Sequence, residues 1–98
     1  LPKINFKLYK LYKLDKLGYM RIQLYDRGLP QGKKLFSDLE TVCQRMQIDY
    51  DPEYIKDMSR VYSMGLQGST VLLIDGEVAF VDKYPSQKEL ETILQEYV

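Results

Sequence analysis

Residues 28–35 read Gly28-Leu29-Pro30-Gln31-Gly32-Lys33-Lys34-Leu35, a break in the chain between two runs of different period. Before it, Met20-Arg21-Ile22-Gln23-Leu24-Tyr25 sets Met20, Ile22 and Leu24 two residues apart, the spacing of a buried strand. After it, Leu35, Phe36, Leu39, Val42, Cys43 and Met46 recur on one helical face, so a helix is expected from Lys33 to about Gln47. Gly28 and Pro30 supply the break. A strand that turns directly into a helix opens an α/β arrangement, and the rest of the chain continues it.

Ile48–Ile55 reads as a short strand interrupted by Pro52. A proline removes a ladder donor, which puts this strand at an edge. Asp49, Asp51, Glu53 and Asp57 cluster around it, without the spacing of a calcium loop or a companion base, and read as a solvated edge. Asp57–Met64 is expected as a short helix capped by Asp57 and stopped by Gly65. Val71–Ile74 and Val78–Val81 flank Asp75-Gly76, a two-residue hairpin signal because both turn positions need positive φ. Ser86 with Glu89 three residues on forms a capping box, and Leu90, Ile93, Leu94 and Tyr97 give the last helix its apolar face. The order is β-α-β-α-β-β-α. Two parallel strands joined by a helix, followed by an antiparallel hairpin, make a four-stranded mixed sheet with helices on both faces.

The chain divides by charge. Residues 1–19 carry Lys3, Lys7, Lys10, Lys13 and Lys16 against Asp15 alone, a net of +4 in a sequence of zero formal charge. They form a basic, Tyr/Leu-rich N-terminal arm, an extension distinct from a domain at 20–98. Ile4, Phe6 and Leu8 alternate like a strand, while Leu8, Leu11, Leu14 and Leu17 recur like a helical face, and both readings stay open. Tyr9 and Tyr12, interleaved with lysine, suit stacking on single-stranded nucleic acid or a protein interface. The modest charge favours a protein partner, or a homo-oligomer through the arm, over nucleic acid or another acidic surface.

With 98 residues the domain can bury a core without staples. One cysteine and no histidine exclude an intramolecular disulfide and a Cys/His zinc site within one chain, and no metal or cofactor is expected. No stretch approaches the ~18 apolar residues of a membrane span. Residues 1–19 lack the uninterrupted apolar core of a secretory signal, and a lone free thiol suits a reducing compartment, so a cytoplasmic location is expected.

Four segments in order resemble the small thioredoxin-like proteins of archaea and bacteria, also called redox-active disulfide or glutaredoxin-like mini-thioredoxins. They are the strand and loop quoted above; the helix end Met46-Gln47-Ile48-Asp49-Tyr50; Met64 to Val78 with its Gly68-Ser69-Thr70-Val71 and Asp75-Gly76; and Tyr84-Pro85-Ser86-Gln87-Lys88-Glu89-Leu90. The resemblance covers roughly residues 20–98 and implies a thioredoxin-like fold. The family loop reads Gly-Cys-Pro-x-Cys-Lys-Lys-Leu, and here the sulfur positions are Leu29 and Gly32. The family also carries a cis-proline where this chain has Thr70 or, one residue on, Val71. A member lacking both cysteines and the cis-proline is a degenerate one.

Dithiol exchange needs a thiolate at a helix start, where the dipole lowers its pKa, and a second thiol to resolve the mixed disulfide. Leu29 can neither ionise nor attack, and Gly32 cannot resolve. The chain is therefore expected to be non-catalytic at this loop and to act as a protein-binding or accessory domain. Leu29, Pro30, Gln31 and Gly32 would offer apolar contact beside helix-start amides. Gly68, Ser69 and Thr70 would offer backbone groups for strand addition. A cis bond before a non-proline residue costs about 2.5–4 kcal/mol, so the peptides flanking Thr70 should be trans. Restoring cysteine at Leu29 and Gly32 should yield a readily formed disulfide with poor substrate reduction. Cys43, within the first helix, reads as a buried inert thiol; the competing reading is a thiol-disulfide oxidoreductase that uses Cys43 with an external thiol.

Overall fold

The computed structural model describes residues 21–48 and 52–97. Its elements run β1 (Ile22–Asp26), α1 (Pro30–Arg45), β2 (Glu53–Ile55), α2 (Ser59–Ser63), β3 (Thr70–Ile74), β4 (Glu77–Val81) and α3 (Gln87–Gln95). The sheet order is β2-β1-β3-β4, with β1 parallel to β2 and antiparallel to β3, and β3 antiparallel to β4. This is the expected four-stranded mixed sheet in a thioredoxin-like α/β fold. β2 lies at an edge directly after Pro52, where the missing N–H leaves no gap in a ladder.

Strand alternation sorts the core into two layers. Ile22, Leu24, Leu72 and Ile74 face Leu35, Leu39, Val42 and Cys43 of α1 and Leu90 and Leu94 of α3. Tyr25, Val71 and Leu73 face Met58 and Val61 around α2. Arg45 ties the two long helices together at their surface, 3.2 Å from Glu91 and 3.0 Å from Gln87. Exposed pairs of this kind add at most about 1 kcal/mol, so the buried leucines and isoleucines hold this layer.

The turn chemistry is as expected at three places. Asp75 and Gly76 both have positive φ, 52° and 83°, in the β3–β4 turn. Gly65 ends α2 at φ 80°. Ser86 and Glu89 form the complete capping box of α3, Glu89 N donating to Ser86 Oγ at 3.2 Å and Ser86 N to Glu89 Oε1 at 2.9 Å. Between Leu72↔Phe80 and Leu73↔Val78 the register shifts, leaving Ala79 as the extra residue of a bulge.

Several boundaries differ from the sequence reading, among them β2, which covers only Glu53–Ile55 of the strand expected over Ile48–Ile55. β1 runs on to Asp26, which places that carboxylate in the sheet. α1 begins at Pro30, not Lys33, because proline is preorganised for the first helical position and lacks only an N–H that no helical carbonyl would accept. The N-cap of α2 is Met58, not Asp57; Asp57 stands one residue before it and accepts Ser59 N at 2.9 Å and Ser59 Oγ at 2.6 Å. The arm 1–19, including Tyr9 and Tyr12, lies outside the described residues, as do Met20, Asp49 and Asp51.

Candidate functional site

Asp26 is paired with Thr70 across β1 and β3, at the end of the sheet where α1 starts. Continuing the alternation of Ile22 and Leu24, its side chain points into the α1/α3 layer, and both Asp26 and Thr70 are 0% exposed. A buried carboxylate must be hydrogen-bonded to be tolerated. Oδ2 accepts from Gly28 N and Leu29 N, each at 2.9 Å, and from the Tyr54 hydroxyl at 2.7 Å. Oδ1 accepts from Thr70 Oγ1 at 2.7 Å, and Thr70 Oγ1 is 3.0 Å from the Tyr84 hydroxyl. Because an ionised carboxylate only accepts, Thr70 donates to Asp26, and its hydroxyl is left to accept from Tyr84. The proton order therefore runs Tyr84 to Thr70 to Asp26.

Burial pushes the Asp26 carboxyl up, but the bonds from Tyr54, Thr70, Gly28 and Leu29 together outweigh it and hold the acid below its ordinary value. The phenol of Tyr54 is pushed up to about 12 by burial and by donating to that carboxylate. The group stays charged, and the loop is fastened to it.

Gly32 shows why no side chain stands at that position. A Cβ there would lie 2.0 Å from Asp26 Cγ and within 2.2 Å of both carboxylate oxygens. The expectation that cysteines restored at Leu29 and Gly32 would close readily is thus corrected: the volume for the second side chain is occupied by Asp26. Pro30 opens α1, Leu29 is its N-cap without a side-chain bond, and Lys33 N reaches Leu29 O at 3.0 Å. The first turn of α1 has no acidic residue, so the Asp26 carboxylate is the negative charge held at this helix start.

A second carboxylate closes the adjoining segment. Asp82 Oδ1 accepts from Ser69 N at 2.7 Å and Thr70 N at 3.1 Å, and Asp82 N donates to Thr70 O at 2.7 Å. Gly68, at φ 152°, leaves room for it: a Cβ there would meet Val81 Cγ1 at 2.9 Å and Asp82 Oδ1 at 3.0 Å. The amides of Ser69 and Thr70 and the carbonyl of Thr70, expected to be offered for strand addition, are therefore already engaged. All peptides among the described residues are trans, those flanking Thr70 included. Asp26 joins the two expected segments, bonding Leu29 on one side and Thr70 on the other.

On the outside, Leu29 (36% exposed) and Tyr84 (43% exposed) leave apolar surface at this end. Tyr84 and Pro85 form a ridge between two depressions. One, about 520 Å³, is lined also by Ala79, Phe80, Lys83 and Ile93. The other, about 110 Å³, includes Gln31, Lys34 and Leu35. Sequence reasoning singled out Leu29–Gly32 and Gly68–Thr70 but missed Asp26, Tyr54, Asp82 and Tyr84.

Cys43 is 3% exposed, on the buried face of α1. Burial, aided by the negative charge of Glu40, pushes its thiol up to about 11. A thiol so placed is neither ionised nor reachable at neutral pH. Among the described residues no three His, Cys, Asp or Glu side chains gather as metal ligands, and no helix is long and apolar enough to cross a membrane.

The chain is 29% identical over 75 residues to a thioredoxin from Methanothermobacter thermautotrophicus, an alignment that spans 76% of this chain and 97% of that protein. No protein-family model matches. With the fold above, the likeness makes the chain a distant thioredoxin-fold relative that carries one cysteine and no dithiol pair.

Proposed function

We propose that the chain is a degenerate member of the small thioredoxin-like proteins that works by binding protein, as an accessory or interaction domain. The observation that carries this reading is the Asp26–Gly32 contact. A chain that had merely lost two sulfurs would leave a gap at the start of α1. Here a carboxylate fills it and fastens the loop, so the loop is maintained as a rigid surface. Leu29, Pro30, Gln31 and the Tyr84–Pro85 ridge form that surface, with Gly32, Gly68, Ser69 and Thr70 beneath and beside it as its frame. The oxidoreductase alternative through Cys43 has no support from the burial of that thiol.

Site-specific photocrosslinking in the cytoplasm of the producing cell tests the reading. A benzophenone side chain replacing Leu29 should yield discrete protein adducts, and one replacing Glu77 at the opposite end of the sheet should not. Equal labelling at the two ends would remove the proposal. In a parallel assay the chain should not reduce insulin disulfides; turnover abolished by Cys43→Ser would restore the oxidoreductase reading.

Residues 1–19 are proposed as a second contact region, through which copies of the chain associate. The charge asymmetry and the Tyr9 and Tyr12 pattern support it. Light scattering should give a dimer for the full chain and a monomer for a chain beginning at Met20.

A further inference from the structure

We propose that residues 3–9 of one copy lie in the groove between β4 and α3 of a second copy, each copy giving an arm and receiving one. The inference rests on the association through residues 1–19 proposed above and names the surface that receives them. A full count of charge points to that surface. Residues 1–19 have five lysines against Asp15, a net of +4, in a chain that is neutral as a whole. Residues 20–74 hold seven cations and seven carboxylates and leave the balance unchanged. The whole of the opposing −4 falls in residues 75–98, where Asp75, Glu77, Asp82, Glu89, Glu91 and Glu96 stand against Lys83 and Lys88. That stretch is β4, α3 and their connections. Every carboxylate is counted, hydrogen-bonded or not; Arg45 offsets Glu91 locally at 3.2 Å.

The same unit carries the larger depression, about 520 Å³, with Ala79, Phe80, Tyr84, Pro85 and Ile93 as its apolar lining beside Lys83 and Glu89. β4 is an edge strand, so the groove is open along one side. Glu89, Ile93 and Glu96 lie four and three residues apart on one stripe of α3, which flanks the apolar Ile93 with carboxylates. Ile4, Phe6 and Leu8 alternate with Lys3, Asn5 and Lys7. An extended segment laid along β4 turns the apolar set into the groove and keeps the lysines at the surface, within a Debye length of these carboxylates. The bulge at Ala79 interrupts β4, so apolar contact and charge, not a continuous ladder, supply the binding. The other edge strand, β2, offers three residues after a proline. The eleven residues 10–20 extend to about 36 Å, enough to carry the segment to a neighbour. Exchange of identical arms about a twofold axis fills both grooves and closes the assembly at two.

Photocrosslinking of the full chain tests the placement. A benzophenone side chain replaces Phe6 in an equal mixture of isotope-labelled and unlabelled copies, and adducts are mapped by mass spectrometry. They should fall within residues 79–93, with isotopically mixed adducts about as frequent as uniform ones. Lys3→Glu with Lys7→Glu should cut their yield by about tenfold, as should salt well above physiological. Glu89→Gln with Glu96→Gln, which keeps a capping-box partner for Ser86, should lower it in the same direction. Mixed adducts at β2 or Leu29 instead of the groove overturn the inference and leave association through the arm standing. Uniform adducts alone place the arm on its own domain and overturn the exchange; a monomer by light scattering then removes the association as well. Groove adducts whose yield ignores both charge reversal and salt overturn the charge pairing on which the placement rests. A dimer by light scattering without groove adducts overturns the placement.

Discussion

The starts of α1 and α3 solve the same problem in opposite ways. Each helix begins with N–H groups that no helical carbonyl can accept. α3 answers locally: Ser86 and Glu89 satisfy each other's backbone within four residues. α1 has Leu29 as N-cap, no acidic residue in its first turn and the Lys33-Lys34 pair instead. Its approach is held from below by Asp26, which is shared with Thr70 and Tyr54 from two other strands. A local cap stabilises one helix; the Asp26 arrangement fixes the position of a loop relative to the whole sheet. The second kind of start leaves the outer face of the loop free of capping side chains, which is where a partner would sit.

The contrast breaks most visibly at Gly32. Gly32→Cys should destabilise the fold by about 3 kcal/mol or more in urea unfolding, because the carboxylate it strikes is held by four bonds and cannot swing aside. Adding Asp26→Gly should bring the double variant well above the sum of the single losses. Strict additivity would show that the contact is not the cause.

Asp26→Ala should come next, at roughly 2–4 kcal/mol, since it leaves buried hydroxyls and amides without an acceptor. Hydrogen exchange at Gly28 and Leu29 should accelerate in this variant while Glu89 is unaffected. The acid response has a defined sign. The folded-state acid is held below its ordinary 3.8, so its stabilisation is complete above that pH and is lost as pH falls through the lowered value. Below about pH 3.8 the parent chain should therefore lose stability more steeply than Asp26→Ala.

Ser86→Ala should have the smallest effect, about 1 kcal/mol, confined to α3. Faster exchange at Gly28 in that variant would show that the two helix starts are coupled after all.

The strands and helices were legible because each follows one period: Ile22 and Leu24 alternate, Leu35, Leu39 and Val42 follow a helix, and Asp75-Gly76 can only turn. The site was half legible. Leu29 and Gly32 stood out by what they are not. Asp26 was hidden, because an aspartate before Arg27-Gly28 reads as a turn residue, and its partner Thr70 is 44 residues away. Extending the alternation of Ile22 and Leu24 by one step would have turned Asp26 inward. No periodicity tells which of nine tyrosines carry structural hydroxyls, so Tyr54 and Tyr84 had no signal. Asp82 was equally silent, since the amides its carboxylate accepts from, those of Ser69 and Thr70, lie on the far side of a hairpin.

The contact between Asp26 and Gly32 also constrains the order in which these positions can change. A side chain at 32 is excluded while Asp26 remains, and removing Asp26 first strands the hydroxyls of Thr70 and Tyr54. Neither single step is neutral, so the two positions should vary together or not at all. Across related sequences the pair would serve as a marker of lineage, separating chains built around a carboxylate here from chains built around sulfur, even where the loop between them has drifted beyond recognition.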